Sequence, residues 1–303
     1  MMREKTLHAR RWLELPERGT PGMLRVIYWI AMHLGRWAAR LLLYPIALYF
    51  LLSAHAARQA SHDYLRRVRG GEVRWWHVFR HIHCFAATIL DRVYQLAGDF
   101  ARFDVRVHQK EIFHRQVGSG QGAILLGSHL GSFEMLRTLG VSQQRIPLKV
   151  LMDTEHNSSI TRFLHALNPE IAATAIGAYR PDTLLKVKES VDQGYMIGAL
   201  GDRPTGAGKT LRCRFLGTPA TFPIGAIQLA AIMQCPVILF FGLYRGGNRY
   251  DVHFELLTER VAPDRATRAR DIQRWTERYV QRLEHYTRSA PYNWFNFYPF
   301  WDD

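Results

Sequence analysis

Cysteine is scarce in this chain of 303 residues, and its scarcity excludes a class of protein. The three cysteines, Cys84, Cys213 and Cys235, lie far apart and fit no metal-ligand spacing. An odd and sparse set argues against a disulfide framework and indicates a reducing compartment. We expect the three thiols to be small buried apolar side chains.

Acidic side chains are also few: the chain has 26 Asp and Glu but 40 Lys and Arg, which gives a net charge of +14. Such an excess attracts anions, whether nucleic acid, acidic lipid headgroups or an acidic carrier protein. The basic residues of the first eighty positions alternate with aromatic and aliphatic ones, which suits a membrane surface better than a DNA groove. No helix-turn-helix, zinc or RNA-binding signature supports a nucleic-acid-binding protein, the weakest alternative.

Long apolar runs are missing as well. The most apolar stretch lies within 24–57, and its core, "LLLYPIALYFLL", is a dozen residues, whereas a spanning helix needs about 20. Extending it backwards includes Arg36 and Arg40, which are unfavourable at a bilayer centre. Residues 1–60 are therefore predicted to be a basic, hydrophobic membrane-anchoring segment that spans or lies on the membrane; a buried core helix is the alternative. The stretch starts too late for a cleaved signal peptide.

With 48% hydrophobic residues and no repeats, the rest of the chain is predicted to form one domain over 61–303. Residues 58–120 have helical apolar spacing, with a glycine end signal at Gly98. From 122 onward, short apolar runs alternate with helical stretches, and predicted strands lie at 122–127, 148–153, 174–178, 195–202, 236–244 and 250–257. Predicted helices lie near 132–140, 157–167, 181–194, 221–234 and 267–287. This alternation predicts an α/β fold with a central, largely parallel sheet flanked by helices.

One short segment, "LLGSHLGSFEMLR" at 125–137, places His129 after an apolar run and Glu134 at the start of a helix. Within a continuous helix, positions five apart lie about 140° apart, so the two would not share a face. If the strand ends at Gly127, Gly131 permits a turn and Ser132 caps the helix, and Glu134 could then fold back to His129. Spacing alone leaves two interpretations open, a catalytic base with its carboxylate or a loop histidine beside a helix-dipole carboxylate.

The ordered segments "GAILLGSHLGSFEMLR", "GALGDRP", "FLGTPATFPIGAIQLAAIMQCPVI" and "PYNWFNFYPFW" resemble the lauroyl/myristoyl acyltransferases of lipid A biosynthesis, within the lysophospholipid acyltransferase-like superfamily. They are most similar to its branch of predicted membrane acyltransferases, and the resemblance covers most of the chain. It implies an enzyme that transfers acyl groups, at the cytoplasmic face of a bacterial inner membrane. The implied donor is acyl carrier protein or acyl-CoA, and the implied acceptor is a lipid or glycolipid hydroxyl. No cofactor and no metal are implied.

The resemblance also implies roles for individual residues. His129 would deprotonate the acceptor hydroxyl, and Glu134 would orient it. Amides of the turn 129–132, with Gly131 and Ser132, and a nearby arginine would hold the oxyanion. The family also uses an arginine downstream of its motif, and Arg162 is our guess for it. Asp202 and Arg203, in the "GDR" that follows a strand, would face the same pocket, Arg203 being suited to phosphate; a structural ion pair is their alternative.

Three further features have plainer interpretations. "PTGAGKT" at 204–210 lacks a phosphate-loop glycine, because Arg203 stands where that glycine belongs. His77, His81 and His83 cluster, but no cysteine or carboxylate completes a metal site. The aromatic tail "PYNWFNFYPFWDD" either lines an acyl tunnel or packs over the core. An inactive lipid-binding scaffold of the same fold remains the main alternative to an enzyme.

Overall fold

The computed structural model describes residues 21–138, 140, 146–153, 166–178, 180–204, 208–261 and 264–301. Ten α-helices are described within these ranges: α1 (Pro21–His33), α2 (Gly35–Ser53), α3 (His55–Arg69), α4 (Trp75–Leu96), α5 (Lys110–Gly118), α6 (Phe133–Thr138), α7 (Pro169–Ala173), α8 (Thr183–Asp192), α9 (Gly225–Met233) and α10 (Arg265–Ser289). The strands are β1 (Asp104–His108), β2 (Ala123–Gly127), β3 (Leu148–Met152), β4 (Ala175–Gly177), β5 (Met196–Leu200), β6 (Thr210–Phe215), β7 (Thr218–Pro223), β8 (Val237–Gly246) and β9 (Arg249–Thr258).

Seven of the strands form one sheet in the order β1-β9-β8-β2-β5-β3-β4. Five neighbouring strands, from β8 to β4, run parallel, and β9 turns back from β8 in an antiparallel hairpin. Strand β1 pairs in parallel with β9 at the edge. The carboxyl ends of β2, β5 and β8 therefore meet at the same edge of the sheet.

Burial explains which strands lie at the centre. Every residue of β2 is buried, and so are the first eight of β8, as expected for strands covered by helices on both faces. Strand β1 alternates apolar and charged residues and is mostly exposed, as an edge strand can be. The predicted α/β class with a largely parallel sheet is therefore confirmed.

Two local predictions are wrong. The stretch 58–120 is not helical throughout, because Asp104–His108 pairs with β9 as strand β1. The helix predicted from 221 begins only at Gly225, because Thr218–Pro223 pairs with Thr210–Phe215 in a separate two-stranded hairpin. Pro223 lacks the N–H that a helix interior requires, so the helix is delayed past it. Most of the helix predicted near 157–167 lies outside the described residues.

The N-terminal helices pack one face on the domain and expose the other. Buried residues of α2, including Leu43 and Leu51, belong to the same apolar core as the central strands. Arg36 and Arg40 turn inward and form ion pairs with the fully buried Asp91 of α4. The outward face carries exposed apolar side chains, among them Trp29, Leu34, Trp37, Leu41, Tyr44, Leu48 and Leu52. We call these seven side chains the apolar stripe.

Among the described residues, no single helix meets the length and hydropathy that a membrane crossing requires. Helices α2 and α3 together meet them, but they are bent by 97° at the break between them. The division of the chain at residue 60 stays a prediction.

Candidate active site

His129 lies two residues beyond β2, at the carboxyl edge of the parallel strands, where ligands bind in open α/β sheets. The turn after it depends on glycine. Gly131 has φ of +71°, and a Cβ there would lie 1.9 Å from the carbonyl oxygen of Gly242 in β8. Only glycine allows this approach, which fixes the His129 loop against the neighbouring strand.

The partner of the imidazole is Asp202, which follows β5, the strand beside β2. Nδ1 of His129 lies 2.8 Å from Oδ1 of Asp202, and the backbone N–H of His129 donates to Oδ2 at 3.0 Å. Asp202 is fully buried, while the His129 side chain keeps 32% of its surface exposed. An ionised carboxylate can only accept, so the proton resides on Nδ1, and Nε2 is left with its lone pair.

The C-terminal aromatic tail holds this pair in place. The indole Nε1 of Trp294 donates to Oδ2 of Asp202 at 2.9 Å, and Trp294 is fully buried. Its neighbour Phe295 donates its N–H to the carbonyl of His129 at 2.9 Å. Tyr279 of α10 also donates its hydroxyl to the carbonyl of Gly127 at 2.9 Å. Trp294 and Phe295 of the tail thus pack in the core, as one of the two interpretations expected. Their hydrogen bonds to Asp202 and His129, and that of Tyr279 to Gly127, could not be predicted from the sequence.

Burial and charge set the protonation of the pair. Burial lowers the pKa of His129, the guanidinium of Arg203 lowers it further, and Asp202 opposes both. Burial alone would raise the pKa of Asp202, but the charge and hydrogen bond of His129, with Arg203 and Trp294, lower this pKa to about 2. At neutral pH the site therefore contains a neutral imidazole and a carboxylate, the state in which Nε2 can accept a proton.

Arg203 borders the pair on the other side. Its Nη2 donates to the carbonyl of Phe295, and its guanidinium lies 5.7 Å from the centre of the Tyr298 ring. Nε of Arg203 and the hydroxyl of Tyr298 are buried without a hydrogen-bond partner among the described residues. Two buried donors close to the His129–Asp202 pair are thus without an acceptor among the described residues, which is uncommon in a folded protein.

Most of the turn's amides are already used. The N–H of His129 donates to Asp202, that of Gly131 to the Asn293 carbonyl at 2.8 Å, and that of Ser132 to the Gly242 carbonyl at 2.7 Å. These three cannot serve as the oxyanion donors predicted from the turn. The Ser132 hydroxyl accepts from the N–H of Met135 at 3.3 Å, which is the helix cap predicted for it.

The other predicted site residues fall in different places. Glu134 stands in the first turn of α6 and is partly buried. Nδ1 of His129 is bound by Asp202, and the role of Glu134 in orienting His129 stays a prediction. Arg162 lies outside the described residues, as do 205–207 of the glycine-rich stretch. The predicted placement of Gly131 and Ser132 at the substrate stays a prediction, although their amides donate within the protein.

One group of side chains in the described part of the chain has the spacing of metal ligands. The ligand atoms of His108, Asp251 and His253 lie within 4.8 Å of one another, on β1 and β9. Asp251 already forms ion pairs with Arg245 at 2.8 Å and Arg249 at 3.2 Å. These two positive charges oppose a cation.

Of the three histidines clustered in sequence, His81 is buried between the Ser61 hydroxyl and the Trp294 carbonyl, which gives it a structural role.

A neutral histidine backed by a buried carboxylate, partly exposed at the edge of a parallel sheet, is an arrangement suited to base-assisted attack by a hydroxyl. The family model for bacterial lipid A biosynthesis acyltransferases matches residues 86–302, and the chain belongs to this family. The protein is accordingly an acyltransferase that acts on lipid. A search of curated proteins finds no match to the chain.

Proposed function

We propose that the protein is a membrane-associated O-acyltransferase that moves a fatty acyl group from an acyl thioester to a lipid or glycolipid hydroxyl, with His129 as the base. One observation supports this most strongly. The buried carboxylate of Asp202 accepts from Nδ1 of His129, which leaves the lone pair of Nε2 to accept a proton. This histidine lies in the segment that matches the acyltransferase family.

Each step of this reaction uses a group at the site. Nε2 of His129 takes the proton of the acceptor hydroxyl as its oxygen attacks the thioester carbon. The tetrahedral intermediate then loses the C–S bond, and the leaving thiolate takes the proton back from the imidazolium. Asp202 stabilises that imidazolium, because its pKa of about 2 keeps it ionised throughout. Glu134 is proposed to help orient His129.

The oxyanion needs donors that are still free. The unpartnered Nε of Arg203 and hydroxyl of Tyr298 are the candidates, since the amides of His129, Gly131 and Ser132 are engaged. A small movement of either side chain on substrate binding would bring a donor to the oxygen. Arg203 alone carries a full positive charge, which favours it for the developing negative charge.

Membrane association is supported by the apolar stripe. The stripe runs from α1 along α2, whose Arg36 and Arg40 point inward to Asp91. Such an exposed apolar surface is unusual in contact with water and suits the headgroup boundary of a bilayer. The Trp and Tyr members of the stripe prefer that depth. We therefore propose that α1 and α2 lie on the membrane, and that the site works at the cytoplasmic face of the bacterial inner membrane.

The donor is proposed to be acyl carrier protein or acyl-CoA. The excess of basic residues suits an acidic carrier protein as well as an anionic membrane. The acceptor is proposed to be a lipid A precursor or another lipid hydroxyl.

Turnover of an acyl thioester by the purified protein tests the proposal. His129→Ala should abolish acyl transfer to lipid while the variant stays folded, with a far-UV circular dichroism spectrum like that of the parent. Tyr195→Phe, just before β5 and at the opposite end of that strand from Asp202, serves as a control that should keep full turnover. Unchanged transfer in His129→Ala would refute the role of His129, whereas no transfer by the parent with any donor would favour the inactive lipid-binding scaffold.

A further inference from the structure

An open cavity with three arginines in its wall lies apart from the Asp202–His129 pair. It has a volume of about 440 Å³ and lies between the start of α2, the 3-10 turn Phe100–Arg102 and the β8–β9 hairpin; its lining residues are Arg36, Trp37, Arg40, Arg102, Gly247 and Asn248. We call it the arginine cavity. The hairpin turn extends from the carboxyl end of β8, so the cavity opens on the same edge of the sheet as His129.

Three arginine side chains line this cavity, whereas the carboxylates that pair with them are not among its lining residues. The carboxylate of Asp91 is fully buried and binds Arg36 through two bonds of 2.9 Å and Arg40 through one of 3.1 Å. The side chains of these arginines keep 16% and 19% of their surface exposed. Arg102 is 48% exposed and pairs only with Asp99 among charged groups of the described residues. Three guanidinium groups therefore outnumber two carboxylates.

The guanidinium groups are held in fixed positions. The phenol of Tyr250 donates to Asp91 at 2.8 Å, which ties the carboxylate to β9. Arg36 also donates to the Gly247 carbonyl at 2.6 Å, and Arg40 lies over the Tyr244 ring at 5.4 Å. Arginines fixed in this way lose little side-chain freedom on binding, and their planar forks match the oxygens of a phosphate.

The rim of the cavity indicates where the anion comes from. Trp37, which lines it, is 72% exposed and belongs to the apolar stripe. The arginines thus stand next to the surface that we propose faces the bilayer, at the depth of the lipid headgroups. A soluble anion would need no such apolar border.

We propose that the arginine cavity binds the phosphate group of a lipid headgroup at the membrane surface. The inference rests on the membrane association proposed above and is independent of the chemistry at His129. The phosphate enters between Arg36 and Arg102, and the acyl chains of the same lipid lie along the apolar stripe past Trp37. The cavity then sets how the protein is oriented on the bilayer.

Vesicle binding by the full chain tests the proposal. Vesicles of digalactosyldiacylglycerol, a bilayer lipid without phosphate, that contain phosphatidic acid are compared with digalactosyldiacylglycerol vesicles that contain oleate, matched in surface charge. The variant is Arg102→Gln, because Arg102 is exposed and takes no part in the buried Asp91 cluster. The matched control is Arg106→Gln, which removes the same charge from an arginine of similar exposure that pairs with Asp104 outside the cavity.

The parent should bind the phosphatidic acid vesicles more tightly than the oleate vesicles. Arg102→Gln should weaken binding to the phosphatidic acid vesicles by roughly fivefold, the effect of one basic side chain near a charged surface. Arg106→Gln should match the parent on both vesicles. Equal losses in the two variants, or no preference of the parent for phosphatidic acid, would overturn the inference.

Two further outcomes separate the sources of the anion. If inorganic phosphate, titrated calorimetrically, binds the parent but not Arg102→Gln while both bind vesicles equally, the cavity takes free phosphate and the lipid assignment fails. If the parent binds no vesicle, charged or neutral, the membrane association itself fails, and the lipid assignment fails with it. Acyl-thioester turnover reports on His129 separately from all of these readings.

Discussion

Replacing Asp202 by Asn should keep the hydrogen bonds of the site but change the tautomer of His129, so that the proton lies on Nε2 instead of Nδ1. Oδ2 of Asp202 accepts from the His129 N–H and the Trp294 indole, and the amide oxygen of Asn can accept both. The amide nitrogen then occupies the place of Oδ1, 2.8 Å from Nδ1 of His129, where it must donate. Nδ1 becomes the acceptor, and the proton moves to Nε2.

The protonated Nε2 can no longer take a proton from the acceptor hydroxyl, and Asn cannot stabilise an imidazolium. The same replacement in a Ser-His-Asp protease lowers kcat by about 10⁴. We expect a loss of about 10³ to 10⁴ here, or about 4–5.5 kcal/mol of transition-state stabilisation. The two preserved hydrogen bonds should limit the loss of folding stability to about 1–3 kcal/mol, the effect of weakening a charge-assisted bond.

Steady-state transfer from an acyl thioester to a lipid, followed by thiol release, measures the effect. The loss should appear in kcat with little change in KM, because the replaced carboxylate is fully buried and acts through His129 on the proton transfer, not on the binding of the ground-state substrate. Asp251→Asn is the matched control, since it also removes a buried carboxylate but lies away from the site. An Asp202→Asn variant that folds and keeps more than about a tenth of the parent kcat would refute the tautomer argument.

Other expected outcomes concern the same loop. Because the pKa of His129 is lowered below 6.5, kcat/KM should fall only as the pH drops through that lowered pKa, and an acid limb centred at or above 6.5 would contradict the effect of burial. Glu134→Gln should lower kcat by less than the Asp202 variant does, because Nδ1 keeps its carboxylate; equal losses would give Glu134 the larger role. Gly131→Ala should destabilise the fold by at least about 1–3 kcal/mol in urea unfolding, because the added Cβ meets a backbone oxygen at 1.9 Å. Gly70→Ala, also at positive φ but with nothing within 4 Å, should show the smaller effect of backbone strain alone.

The central strands could be predicted from sequence because their burial on both faces leaves continuous apolar runs. The runs at β2 and β8 are short, rich in aliphatic and aromatic residues, and typical of strands covered on both faces. Strand β1 was missed for the opposite reason. It pairs on one side only and carries a polar residue at every other position, so its apolar signal is no stronger than that of the adjoining helices.

The position of His129 followed from sequence, but its carboxylate partner did not. A glycine-rich turn between an apolar run and a helix cap places His129 at a strand end wherever the strand lies in the sheet. Asp202 is 73 residues away, and it reaches His129 only because β5 is hydrogen-bonded to β2. Sheet order is a tertiary property, so the nearer carboxylate, Glu134, was the one that spacing could suggest.

The tail shows why a site of this kind needs most of the chain. Asp202 is fully buried, and a buried carboxylate stays ionised only while donors surround it. One of them, the Trp294 indole, is supplied 92 residues further along, in a segment whose backbone also bonds to the His129 loop. The aromatic residues of that segment bury the carboxylate and also bring the donor that offsets its burial. The His129–Asp202 pair therefore depends on the docking of the tail, for which the sequence suggested an acyl tunnel or packing over the core but no bond to the pair.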